Sequence, residues 1–161
     1  MSPKTNTDLE FAYGSGQINP SLTINPGLIY DAGEIDYVKF LCGQGYSDKQ
    51  LQLVTGDKSS CSKATNGSPW DLNYPSFTLY TPSGPYIARD FHRTVTNVGS
   101  AISTYKAIVK PPKELDIQVQ PNVLSFKSIG EKKSFVVTIA AKVALPSIVS
   151  GALVWDEVSI K

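Results

Sequence analysis

At Trp70 the spacing of the apolar residues changes, and this change limits the possible folds more than any other feature of the 161-residue chain. Downstream the period is two: Phe77 and Leu79, then Tyr105, Ala107 and Val109, then Leu115, Ile117 and Val119, then Phe135, Val137 and Ile139. A period of two gathers those side chains on one face of a strand and leaves their polar neighbours on the other. Turn-forming residues separate the runs: Pro82-Ser83-Gly84-Pro85, Asn97-Val98-Gly99, Pro111-Pro112, Pro121-Asn122 and Ile129-Gly130. Short strands with turn signals about every ten residues predict an antiparallel β-sandwich. Roughly six strands fit, where an immunoglobulin-like sandwich has about seven. The last run, from Gly151, stops at Lys161, so the expectation is a sandwich one strand short, with an unpaired sheet edge.

Upstream of Trp70 the text is different. Gly14, Gly16, Pro20, Pro26 and Gly27 cut it into short apolar pieces. Two helical patterns follow. Asp31 and Glu34 have the spacing of a capping box, and Ile35, Val38, Leu41 and Cys42 recur at helical spacing. Ser47 and Gln50 offer a second box, with Leu51 and Val54 a turn apart and Gly56 placed to end the helix.

Composition excludes several function classes. Fifteen basic and fourteen acidic residues leave a net charge of +1, which gives no electrostatic reason to expect nucleic acid or an acidic membrane as partner. No run of eighteen apolar residues is present to span a bilayer, and the polar start Met1-Ser2-Pro3-Lys4 lacks the apolar stretch of a signal peptide. One histidine and two well-separated cysteines cannot build a zinc site of several His and Cys ligands. Neither glycine-rich nucleotide motif occurs, so no cofactor is expected.

The residues able to do chemistry have simpler explanations. His92 would need Asp71 or Asp90 and an activated serine to form a triad, yet no serine stands in a G-x-S-x-G turn. Alternation instead puts His92 opposite Phe91 and Val95, on the solvent face. Gly14-Ser15-Gly16 reads as a turn that needs positive φ. Asp31, Glu34 and Asp36 miss the spacing of a calcium loop and suit a helix start. Asn66-Gly67-Ser68 has the form of a glycosylation sequon, but Pro69 follows directly and the site matters only on export. Trp70, Tyr74, Phe77, Tyr105 and Trp155 fit packing better than a stacking platform. Cys42 and Cys61 would close a loop of about twenty residues if bridged, stabilising the fold by about 3 kcal/mol. Two unrelated thiols fit the spacing equally well.

In order along the chain, Phe11-Ala-Tyr-Gly-Ser-Gly-Gln-Ile-Asn-Pro20, Pro26-Gly-Leu-Ile-Tyr-Asp31 and Asp36-Tyr-Val-Lys-Phe-Leu-Cys42 resemble the end of the peptidase domain in plant subtilisin-like serine proteases of the cucumisin-like kind. Asp71-Leu-Asn-Tyr-Pro-Ser-Phe77, Arg93-Thr-Val-Thr-Asn-Val-Gly99 and Leu153-Val-Trp155 resemble strands of the fibronectin type III-like domain that follows it there. The resemblance implies a mainly β chain. Residues 1–70 would be the C-terminal remnant of the α/β peptidase domain, a short loop and helix segment. Residues 71–161 would be the fibronectin type III-like sandwich, lacking its last strand. The family's catalytic aspartate, histidine, Gly-Thr-Ser-Met serine and oxyanion asparagine lie upstream of these blocks. No position here matches them, since His92, Asn19, Asn25 and Asn73 sit in other motifs. The chain is therefore expected to carry no catalytic, cofactor-binding or metal residue and to be no enzyme itself, while its parent is a serine endopeptidase. By the same resemblance Cys42 and Cys61 match a pair bridged in secreted relatives. Tyr74 and Phe77 would belong to a face docking on the catalytic domain in cis. The parent would be exported to the apoplast or cell wall. The alternative is a stand-alone truncated sandwich that binds a partner such as an intact subtilase, and the missing strand argues against its independent stability.

Overall fold

The computed structural model describes residue 14 and residues 19–61, 67–80, 87–141 and 149–158. Where the period is two, strands form: β2 (Ile87–Asn97), β3 (Ser103–Lys110), β4 (Leu115–Gln120), β5 (Val123–Phe126), β6 (Lys132–Ala141) and β7 (Ala152–Glu157). A two-residue strand from the upstream region, β1 (Leu28–Ile29), joins them. One sheet has the order β1-β2-β6-β4 and the other β5-β3-β7, with every pair antiparallel. This is the sandwich that the alternation predicts.

Its core is built from both inner faces. Phe91 and Val95 of β2 and Phe135 and Val137 of β6 meet Tyr105 of β3 and Leu124 and Phe126 of β5 in one buried cluster. The rings meet edge to face, Phe135 on Trp155 at 5.0 Å and Tyr105 on Phe126 at 6.0 Å between centroids, the arrangement that ring quadrupoles favour. Each such ring taken from water stabilises the fold by about 1.5–3 kcal/mol. β4 is half-buried at its apolar positions and exposed at Asp116, Gln118 and Gln120, as suits a sheet edge.

The predicted strand at Phe77 and Leu79 is different. Both side chains pack on the core and alternate with exposed Thr78 and Tyr80, but residues 76–80 lie outside both ladders. Burial set the alternation there, without backbone pairing.

The upstream region folds as a helical turn, α1 (Pro20–Thr23), followed by α2 (Glu34–Gly43) and α3 (Asp48–Thr55). The second predicted cap is present: Ser47 Oγ accepts from Gln50 N, Gln50 Oε1 accepts from Ser47 N at 2.9 Å, and Gly56 ends the helix at φ +73°. The first is corrected. α2 starts one residue after Gly33, and the Asp36 carboxylate accepts from the Gly33 N–H at 2.9 Å, while Asp31 is drawn away to the sheet. Val38 and Leu51 form a second, smaller core with Leu41, Cys42 and Cys61 around them. Among the described residues no helix is long and apolar enough to cross a membrane.

Candidate functional site

The residues upstream of Trp70 meet the sandwich along the outer edge of β2, and that seam gathers most of the polar side chains with a specific job. Every second residue of β2 turns its N–H and C=O toward this edge, away from β6, and these groups need partners. β1 supplies them at one end, with Leu28 opposite Asn97 and Ile29 opposite Thr96. Further along, side chains take the place of a strand. The Asn73 carboxamide accepts from Thr94 N at 2.8 Å and donates to Thr94 O at 2.8 Å, as a paired peptide group would. The same Nδ2 also donates to Asp31 O at 2.9 Å. Two residues earlier on both segments, Asp71 Oδ1 accepts from His92 N at 3.0 Å.

Arg93 fastens the seam from inside. Alternation places it between Phe91 and Val95, facing the core, and it is only 4% exposed. Its Nε donates to Tyr74 O at 2.8 Å, and its Nη1 donates to Trp70 O at 2.8 Å and His92 O at 2.7 Å. Nη2 reaches Ser76 O at 3.3 Å, and the guanidinium lies 4.7 Å from the centre of the Phe77 ring. Burial pushes its pKa down from the ordinary value, opposed chiefly by the nearby Asp71 carboxylate. Backbone carbonyls satisfy the cation, so the chain from Trp70 to Ser76 must wrap around it.

Two further contacts complete the seam. Asp31 accepts the Thr96 hydroxyl and pairs with Lys132 Nζ at 3.1 Å, and these two bonds hold its carboxyl below the usual carboxylate range. At the turn after β2, Asn97 is fully buried and donates to Ser100 O and Ser128 O while accepting from Gly99 N. Gly27, at φ +74°, lies so close beneath Tyr105 that a Cβ there would stand 2.9 Å from the phenol oxygen. Any other residue there would be strained at this φ and would have to displace the phenol.

The predicted site residues are distributed as follows. Cys42 and Cys61 are bridged, their Cα atoms 5.4 Å apart. Asn66 and Ser15 lie outside the described residues. Tyr74 is partly exposed, with its hydroxyl 2.9 Å from that of Tyr37 on α2 and the two rings edge to face at 6.2 Å. Phe77 is half-buried, its ring 5.4 Å from Phe91. His92 is exposed as the alternation predicts, and its Nδ1 lies 3.0 Å from Asp71 Oδ1. To act in catalysis such a pair needs a hydroxyl or thiol on its other nitrogen. The sheet hydroxyls beside it, Thr94 and Ser134, bond each other at 2.9 Å. Asp31 and Asp36 serve the seam and the helix start, and no group of three His, Cys, Asp or Glu side chains among the described residues is arranged to hold a metal. Sequence reasoning missed the roles of Asp71, Asn73 and Arg93. For Arg93 the signal was present: a charged residue in phase with Phe91 and Val95.

Among the described residues, seven antiparallel strands in two facing sheets, with a seam that grips the preceding segment, define a β-sandwich module. The chain belongs to the fibronectin type-III domain family, whose model matches residues 71–161. It is also similar to plant proteases. Subtilisin-like protease SBT4.3 of Arabidopsis thaliana is 45% identical over 159 residues, and subtilisin-like protease SBT4.14 of the same plant 46% over 159 residues. These alignments cover 98% and 96% of this chain but 22% and 21% of the relatives, so the chain spans about a fifth of their length. The resemblance carried by the sequence blocks and the predicted sandwich are thus both borne out.

Proposed function

We propose that this chain is the C-terminal part of a subtilisin-like serine endopeptidase, in which it supports a catalytic domain that carries the triad elsewhere in the parent. The observation that carries the reading is the seam. Leu28 and Ile29 pair with β2, and Asp31 is held by Asn73, Thr96 and Lys132, so the segment before Trp70 is tied to the sandwich, which transmits its rigidity to whatever that segment belongs to. The likeness to the Arabidopsis proteases over almost the whole chain supports the same reading. Residues 1–70 are then the remnant of the peptidase domain and 71–161 the supporting module. The partner is the catalytic domain in cis, met through the exposed side of Tyr74 and the neighbouring Phe77. Peptide bonds are cleaved by the parent's serine, histidine and oxyanion hole, and this chain alone hydrolyses nothing. Export of the parent to the apoplast or cell wall accords with the Cys42–Cys61 bridge, since such bonds persist in oxidising compartments.

An immunoblot of native tissue, with antibody raised against the sandwich, tests this reading. The expected band has about five times the mass of this chain, as the coverage of the relatives implies. A band at this chain's own mass that disappears on knock-down of its transcript would overturn it, in favour of a stand-alone binding module.

A further inference from the structure

We propose that the Cys42–Cys61 bridge is a redox-released latch: a dithiol reductant opens it, the α2–α3 pair loosens as a local unit, and the sandwich stays folded. The proposal concerns the 161 residues of this chain. Its basis is the separation of the two cores. The sandwich cluster and the helical cluster share no member. Among the described residues, Val38 and Leu51 alone are fully buried in the helical cluster, and of the three packed around them two are the bridged cysteines. A core that small does not hold two helices of ten and eight residues without a cross-link. The apolar surface of α3 is moreover divided, with Leu51 turned inward while Leu53 and Val54 are exposed, so one residue does most of its burying.

The return chain shows where the latch acts. After α3, residues 56–61 fold back along the helix, with Gln52 Nε2 donating to Ser59 O at 3.3 Å and Cys61 N donating to Asp48 Oδ1 at 2.7 Å. These bonds are exposed and tie the loop to α3 itself. The bridge is the covalent tie from that loop to α2, and α2 in turn rests on the 3-10 turn Pro69–Asp71, where a Cβ on Gly43 would collide with the Gly67 carbonyl and the Pro69 ring. Opening the bridge therefore frees α3 and its loop, takes from α2 the Leu51 side chain that covers Val38, and leaves the β2 edge contacts of Asp71 and Asn73 intact. Both cysteines are half-buried, which leaves an attacking thiolate a route in. The thiolate of the reductant displaces one protein sulfur to form a mixed disulfide, and its second thiol then releases the other. The two cysteines gain two electrons and two protons, and the reductant leaves as its own disulfide. The opened unit presents Val38 and Leu51 to solvent and the peptide bonds after Lys39, Lys49 and Lys58 to proteases.

The test is amide hydrogen exchange on the complete 161-residue chain, oxidised and after dithiothreitol at neutral pH, with alkylation to count free thiols. Two alkylated thiols are expected, together with roughly hundredfold faster exchange across residues 34–58. Exchange in 87–97 and 132–141 should stay unchanged, and reoxidation should restore the helices. A Cys42→Ser/Cys61→Ser chain without reductant should reproduce the reduced pattern. Resistance of the bridge to reduction in the folded chain, unchanged exchange in the helices, loss of protection in the sandwich at the same time, or a protected double variant would each overturn the proposal.

Discussion

The two halves of this molecule reach order by different means. The sandwich brings seven fully buried residues from four strands into one cluster, ringed by tryptophans and half-buried aliphatics. The helical segment has two such residues and a disulfide. One chain thus combines an element with a large apolar core and another with a small core, a disulfide and a place on its neighbour's edge. The seam lets the weaker half draw on the stronger one.

The largest effect should come from the sandwich core. Phe135→Ala removes a ring that packs against Trp155 and is expected to destabilise by about 3–5 kcal/mol, which urea unfolding followed by tryptophan fluorescence would measure. A loss below about 1 kcal/mol would mean that the cluster does not carry the fold. Arg93→Ala comes next, at about 2–4 kcal/mol, because the carbonyls of Trp70, Tyr74 and Ser76 lose their donor together. Its signature is distinctive: protease sensitivity should rise around residues 70–76 even where the strands persist. Leu51→Ala sharpens the contrast. About 2–3 kcal/mol should be lost locally, visible as faster exchange in residues 48–55 while β2 and β6 keep their protection.

The smallest effect concerns pH. The bonds from Thr96 and Lys132 lower the Asp31 pKa, so the seam's share of stability from this group is fully present above the unfolded carboxylate range and is lost as pH falls through the depressed folded value. Asp31→Asn should therefore lower stability slightly at neutral pH and flatten the acid side of the curve, its difference from the parent shrinking as pH falls, as read by thermal unfolding between about pH 2 and 7. A variant with an unaltered acid limb would show that Asp31 contributes only its geometry.

Much of the fold was legible. The runs at Tyr105, Leu115 and Phe135 became β3, β4 and β6, and the Ser47–Gln50 cap and the Gly56 stop appear as read. These signals are local: a strand's alternation or a helix's cap involves neighbours within a few residues. The errors share a cause. Asp31 has the spacing of a cap, yet Thr96 and Lys132, more than sixty residues away in sequence, compete for its carboxylate. Leu28 and Ile29 show too short a run to announce a strand, and they become one because the β2 edge offers unpaired groups.

The order of residues was enough to set the period of each segment, the second helix's cap and stop, and the family blocks, because these depend on backbone sterics and on side chains close in sequence. The tertiary structure decided which groups would meet. Asn73 can pair with Thr94, and Arg93 with four carbonyls, only once β2 has joined β6 and turned its other edge outward. An unpaired donor or acceptor acquires a cost when folding removes its water, and the partner that relieves this cost is set by the fold.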